Sequence, residues 1–297
     1  MVDKSPTPAA QPLADIKTLL LDSLETRWNN FAQQVSKSHR NPTEKSIHDL
    51  RVSMRRVIVL LEMTKPITAK NRRIIVLKEL KGYIKSLSPL RDIQVQILFA
   101  RKLRKDFPIM SSYLATLATI EKSAVKQARR EISRINTNFS SKNLQNLKMS
   151  LASYLSEDPM MEMAQPIIRG ELLRSFVQAL FLRSEITNDK DGDDKLIHEL
   201  RIAFKHFRYM VEVLQPTLPR VTIKTMKSMN RFQLRMGNIQ DTGVLIDGLD
   251  RYVAKIRKIE RALFTPVRSF LNELRDNRIH EFIRSVDELY NFWECIR

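Results

Sequence analysis

Ile47-His48-Asp49-Leu50-Arg51-Val52-Ser53-Met54-Arg55 and Ile197-His198-Glu199-Leu200-Arg201-Ile202-Ala203-Phe204-Lys205 state one pattern twice. In each, an Arg follows the His by three residues and a second cation follows that Arg by four. On a helix advancing about 100° per residue, the three positions fall within roughly a 60° sector. Like charges stacked on one face repel by a few tenths of a kcal/mol per pair. A fold that accepts this cost twice needs an anion at that face.

The agreement extends beyond the motif. His48, Arg51, Glu62 and Pro66 match His198, Arg201, Glu212 and Pro216, and the step from 48 to 198 is 150 residues for every pair. Arg55 matches Lys205. Duplication at half the chain length predicts two related halves and not a short-period solenoid.

Outward from the motifs the periodicity is helical. Leu13, Ile16, Leu20, Leu24, Trp28, Phe31 and Val35 recur at three and four residues, predicting a first amphipathic helix. Asn41-Pro42-Thr43-Glu44 reads as a helix start with Asn41 as cap, and the helix it opens stops before Pro66. Further helices are predicted over about 70–107 with a break at Ser88-Pro89, and over 109–135 and 142–155. The second half repeats the plan over 166–186, the second motif helix ending before Pro216, then 221–254 and 256–295 with a break at Pro266. Asn188 to Asp194 is a polar linker in which Asp193 or Asp194 caps the next helix, since its Gly192 and Leu200 misfit a calcium loop. No alternating run is long enough for a strand. The expected fold is all-α, two antiparallel helical bundles related by a pseudo-twofold about a basic central groove. Residues 1–12 read as a flexible tail and not as a targeting sequence, 13–158 as the first half and 159–297 as the second.

Composition narrows the function. Against 33 Asp and Glu the chain carries 51 Lys and Arg, a formal charge of +18 and a pI near 10.1, which favours polyanionic partners. A 43% hydrophobic content supports a sizeable core. Only 6 Gly in this length argues against phosphate loops built from glycine, and the lone Cys295 excludes an intrachain disulfide and a multi-Cys metal site. No stretch approaches the roughly 18 apolar residues of a membrane span.

The motif helices resemble the conserved-histidine α-helical domain family, CHAD. The signature helix of that family carries His, Arg three on, Arg or Lys seven on and often Arg eight and ten on. Here His48, Arg51, Arg55 and Arg56 match, with Ile58 at the last position. In the second copy His198, Arg201, Lys205 and Arg208 match, followed by Tyr209, with His206 at the eighth position. Leu90-Arg91-Asp92-Ile93-Gln94-Val95 and Gly237-Asn238-Ile239-Gln240-Asp241 resemble the family's Gly-x-x-x-Asp element, with Ser88 standing for the first Gly. The resemblance implies a groove that binds inorganic polyphosphate, and a cytoplasmic protein that can associate with polyphosphate granules.

The chemistry of the residues agrees. A phosphate chain presents closely spaced negative oxygens and no bases. Its complement is a row of long cations one helical turn, about 5.4 Å, apart. Arg grips two oxygens where Lys acts as a point charge. Lys78, Lys81 and Lys85, and Lys224, Lys227 and Arg231, recur at three and four residues and would extend such rows; their alternative is a solvated face. Each motif His is read as a phosphate donor, as a partner for Glu62 or Glu212, or as a metal ligand, the last disfavoured because the zinc-helix spacing is missing. The leading expectation is non-enzymatic polyphosphate binding with no cofactor. Its rivals are RNA or DNA binding, for which aromatic interleaving is sparse, and phosphotransfer or polyphosphate hydrolysis through His48 or His198.

Overall fold

The Thr43 hydroxyl accepts from the Ser46 amide at 3.2 Å, and this contact starts the first motif helix. Asn41, expected as the cap, instead ends the preceding helix, its amide bonding the Lys37 carbonyl at 3.0 Å, while its carbonyl accepts from the Ser46 hydroxyl at 2.7 Å. Both residues are extended, but only Thr43 directly precedes the first helical residue, so its oxygen reaches the third helical amide. The computed structural model describes residues 15–68, 70–138, 141–157, 160–188 and 194–297. The expected tail, the linker 189–193 and the possible Asp193 cap lie outside the described residues.

The first half holds α1 (Ile16–Arg40), α2 (Glu44–Met63), α3 (Lys70–Ser86), α4 (Ser88–Leu103), α5 (Met110–Asn138) and α6 (Ser141–Tyr154). The second holds α7 (Met160–Asn188), α8 (Asp194–Leu214), α9 (Ile223–Val253), the single turn α10 (Lys258–Arg261), α11 (Thr265–Ser285) and α12 (Glu288–Ile296). No strand occurs among the described residues, and no helix there is long and apolar enough to cross a membrane.

The prolines behave differently from one another. Pro89 and Pro266 sit in the first turns of α4 and α11, where the missing amide hydrogen would be unpaired anyway. The predicted break at Pro266 therefore falls one turn earlier, at residues 262–264. Pro166 lies inside α7, which runs through it. The helix expected to run to residue 107 stops at Leu103, four residues short. Asp194 is the first residue of α8, and its carboxylate pairs with Arg275 of α11 at 2.6 Å.

The apolar faces meet in two clusters. The larger runs without interruption from Leu20, Phe31, Leu50 and Met54 into Phe176, Phe204, Phe232 and Phe292, so the two halves share one interior. The second joins α4 and α5 to α9 and α11 through Ile97, Tyr113, Leu245, Phe264 and Leu271. In it α4 and α9 approach closely at Gly248. A Cβ there would fall 2.7 Å from Gln96 Cδ and 2.5 Å from Tyr113 Oη, closer still to Gln96 Oε1, and the Tyr113 hydroxyl donates to that Oε1 at 2.5 Å. We expect Gly248→Ala to destabilise the fold by about 1–2 kcal/mol in urea unfolding, because overpacking and a broken buried hydrogen bond outweigh the helix-propensity gain of up to about 1 kcal/mol. An unchanged or raised midpoint would show that Gln96 swings aside freely.

Candidate functional site

The two motif helices, α2 and α8, pack on one another and on α4 and α9 respectively. Their apolar positions go inward, with Ile47, Leu50, Met54, Ile197, Leu200 and Phe204 buried. The cationic sector of each is thereby turned toward a cleft of about 470 Å³. His48, Arg51 and Arg55 of α2 enter it together with His198, Arg201 and Lys205 of α8. Ser88, Arg91 and Asp92 of α4 and Gln233, Gly237, Gln240 and Asp241 of α9 complete the polar wall.

What these groups bond to divides them. Arg51 is buried, and its Nη1 donates to the Ile84 carbonyl at 2.6 Å and to the Ser88 hydroxyl at 3.0 Å. It thus ties α2 to the junction of α3 and α4 and offers the cleft only its remaining donors. Arg91 pairs with Glu44. His198 Nδ1 meets the Gln240 carboxamide oxygen, which fixes the ring's orientation. Arg55, Arg201 and Lys205 have no hydrogen-bond or ion-pair partner among the described residues.

The electrostatics follow from that crowding. Burial, with Arg55, Arg201, Arg208 and Arg51 nearby, pushes the Lys205 ammonium down to about 6. Burial also lowers Arg55 and Arg201, and with Arg55 it brings Arg51 to about 10. His48 is lowered by desolvation and then by Arg91. Asp92 and Asp241 are raised by desolvation, with Arg51 and Arg201 respectively the cations that oppose this most. The cleft is therefore a half-dry cluster of repelling cations with two weakened carboxylates at its wall.

Other expected groove residues lie elsewhere. Arg56 leaves the cleft and forks onto Glu212 at 3.1 and 3.3 Å, while Arg208 Nη1 reaches the same carboxylate at 3.1 Å and its Nε donates to Gln233 at 2.9 Å. Tyr209 is buried at 2% exposure beneath the guanidinium groups of Arg56 and Arg208, so it presents no ring to a ligand. Lys81 pairs with Glu62 at 2.6 Å. Lys78, Lys85, Lys224, Lys227 and Arg231 are exposed and outside the cleft, Arg231 bonding Ser228 at 3.0 Å.

The residue eight past each motif His reaches the glutamate of the other motif helix. Arg56 bonds Glu212, and His206 Nε2 stands 3.2 Å from Glu62 while its Nδ1 meets the Ser175 hydroxyl at 3.1 Å. Each glutamate thus clamps the opposite helix. Glu62 is held below the usual carboxylate range by His206 and Lys81, against the opposing effect of burial. The sequence reading offered Glu62 and Glu212 as partners for the motif histidines of their own helices, but the partners across the helix pair are His206 and Arg56, because a helical wheel carries no information about the neighbouring helix. It also missed Arg27 of α1, which approaches Glu212 at 3.9 Å. The signal was present in Ser23, Thr26, Arg27 and Asn30, a polar stripe at helical spacing. No cluster of three or more His, Cys, Asp or Glu positioned for a metal occurs among the described residues.

Comparison with known proteins supplies the family. No curated protein matches the chain. Among solved structures, the crystal structure of the CHAD domain from the plant Ricinus communis is similar, with a TM-score of 0.63 and 16% sequence identity over 94% of this chain and 97% of that one. At that identity the likeness concerns the fold. The model of the CHAD domain family matches residues 22–250, a span that contains both motif helices, α4 and all but the last three residues of α9. The chain belongs to the CHAD domain family.

Proposed function

We propose that the cleft binds inorganic polyphosphate without turning it over. One observation carries this reading. Of the lysines and arginines on the motif helices that are shielded from solvent, those without a hydrogen-bond or ion-pair partner among the described residues, Arg55, Arg201 and Lys205, line the same cleft, whereas the unpaired Lys45 is exposed and outside it. A phosphate chain relieves the repulsion between the guanidinium groups, favours the charged form of Lys205, supplies paired oxygens to each guanidinium, and gains affinity from released counterions. His48, His198, Arg91 and the free donors of Arg51 add further contacts along the chain. The exposed Lys78, Lys85, Lys224, Lys227 and Arg231 would meet a long chain only after it leaves the cleft.

Family membership supports the reading, since it brings the association with polyphosphate that the motif resemblance implied. The reciprocal Arg56–Glu212 and His206–Glu62 clamps support the further reading of residues 13–158 and 159–297 as halves related by a pseudo-twofold. Nucleic acid is the less favoured ligand, because among the described residues no aromatic side chain other than the two histidines lines the cleft to stack a base. Titration of the full chain with long-chain polyphosphate near physiological salt should give saturable binding. Orthophosphate should compete weakly at the cleft, and RNA of equal length should not displace the chain readily. Absence of saturation rejects the proposal, and ready displacement by RNA would transfer it to nucleic acid. Incubation with magnesium should release no phosphate.

A further inference from the structure

A second pocket, of about 440 Å³, opens on the other side of α2. Ser53 and Arg56 face it, standing about 160° and 100° round the helix from Arg55. Ser23, Thr26, Arg27 and Asn30 of α1 form the opposite wall. Glu212 closes the floor and Asp22 stands among the lining groups. None of these residues lines the cleft.

The charges here are unevenly matched. Three guanidinium groups share the Glu212 carboxylate: Arg56 and Arg208 at hydrogen-bonding distance and Arg27 at 3.9 Å. Arg27 makes no hydrogen bond among the described residues, although its side chain is only 13% exposed. Burial, with Arg56 as the main repelling neighbour, lowers it to about 10. A half-dry guanidinium with unused donors, facing a second guanidinium across a lining of hydroxyls and an amide, is chemistry that recognises an oxyanion. The carboxylates of Glu212 and Asp22 repel an extended polyanion, so the fitting ligand is small.

We propose that this pocket is a second anion site, which takes a single tetrahedral oxyanion between Arg27 and Arg56, with Thr26 and Ser53 donating to its oxygens. It is separate from the cleft in residues and in ligand. Its linkage to the cleft runs through Arg208, which bonds Glu212 on one side and Gln233 of the cleft wall on the other.

The test uses the full chain with the cleft disabled by Arg55→Ala and Arg201→Ala. Sodium phosphate is titrated at constant ionic strength against chloride, followed by calorimetry and by the unfolding midpoint. Saturable phosphate binding should persist in this background. Adding Arg27→Gln should weaken it by roughly tenfold or more, the loss of a charge-assisted hydrogen bond. Glu212→Gln should tighten it by several-fold, since it frees guanidinium donors, an effect that a merely structural network would not produce. Should Arg27→Gln fail to fold, Thr26→Val with Ser53→Ala should still weaken binding several-fold. Phosphate binding that vanishes with the cleft variant, or that survives the changes at Arg27, Thr26 and Ser53 undiminished, overturns the proposal.

Discussion

Replacing both Arg55 and Arg201 with alanine is expected to lower affinity for long-chain polyphosphate on the order of a hundredfold or more, since each hydrogen bond to a charged group is worth about 1.5–3 kcal/mol. The dependence of log affinity on log salt should flatten by about 1.4, because two phosphate contacts each release roughly 0.7 of a counterion on a single strand. Folding should be unharmed. Neither side chain has a hydrogen-bond or ion-pair partner among the described residues, and relief of the crowding among cations offsets the loss of Arg201 as the cation opposing the burial of Asp241. Arg56→Ala is the internal contrast. Its guanidinium is already committed to Glu212, so affinity should move by no more than about twofold, within the usual range of a surface charge change. Equal effects of Arg56→Ala and Arg55→Ala would place the ligand elsewhere. Arg51→Ala is a poor probe of the site, since its loss also strips the Ile84 carbonyl and Ser88 of a buried donor.

Lys205 carries the second large effect. In the empty cleft its ammonium titrates at about 6, against an ordinary lysine value near 10.4. The groups acting on it are Arg51 and Arg55 from α2 and Arg201 and Arg208 from α8, while His48, Asp92 and Asp241 share the cleft. A bound polyanion raises the lysine's proton affinity. Above pH 6 the empty protein therefore holds fewer protons than the complex, and binding takes up close to one proton. Affinity should fall as pH rises from 6 toward 9, and level off below 6 where Lys205 is charged in both states. Stability has the opposite slope. The unfolded chain binds more protons than the folded one between about pH 6 and 10.4, so folding is favoured as pH rises through that window. Lys205→Met should raise stability at pH 7 by a few kcal/mol, remove most of that slope, and weaken polyphosphate binding while removing its pH dependence. Urea unfolding and calorimetric titration at several pH values read both. A methionine variant less stable than the parent at pH 7 would refute a neutral, strained lysine.

Much of this was legible in the chain. The 3–4 spacing of His48, Arg51 and Arg55, and of their second copies, is a statement about one helix face, and local periodicity survives folding. Those side chains did converge. Lys78, Lys81 and Lys85 have the same spacing and stay outside the cleft, because spacing defines a face but not the direction it points. That direction depends on what covers the opposite side, and in α3 Val76, Leu77 and Leu80 turn inward and leave the lysines to solvent. Arg56 follows the family pattern yet belongs to the clamp around Glu212, since one residue beyond Arg55 is about 100° further round the helix, whereas Tyr209 shares the side of Lys205 but is covered by the guanidinium groups of Arg56 and Arg208. Arg27 stayed hidden because the first helix was read for its apolar stripe alone.

The unbroken apolar interior has a mechanical meaning. With Leu50 and Met54 packed into the same mass as Phe204 and Phe232, the walls carrying the two cationic rows have no joint between them. On the proposed function, such a cleft would act as a fixed gauge and not as a jaw, and most of the freedom lost on entry would be the guest's.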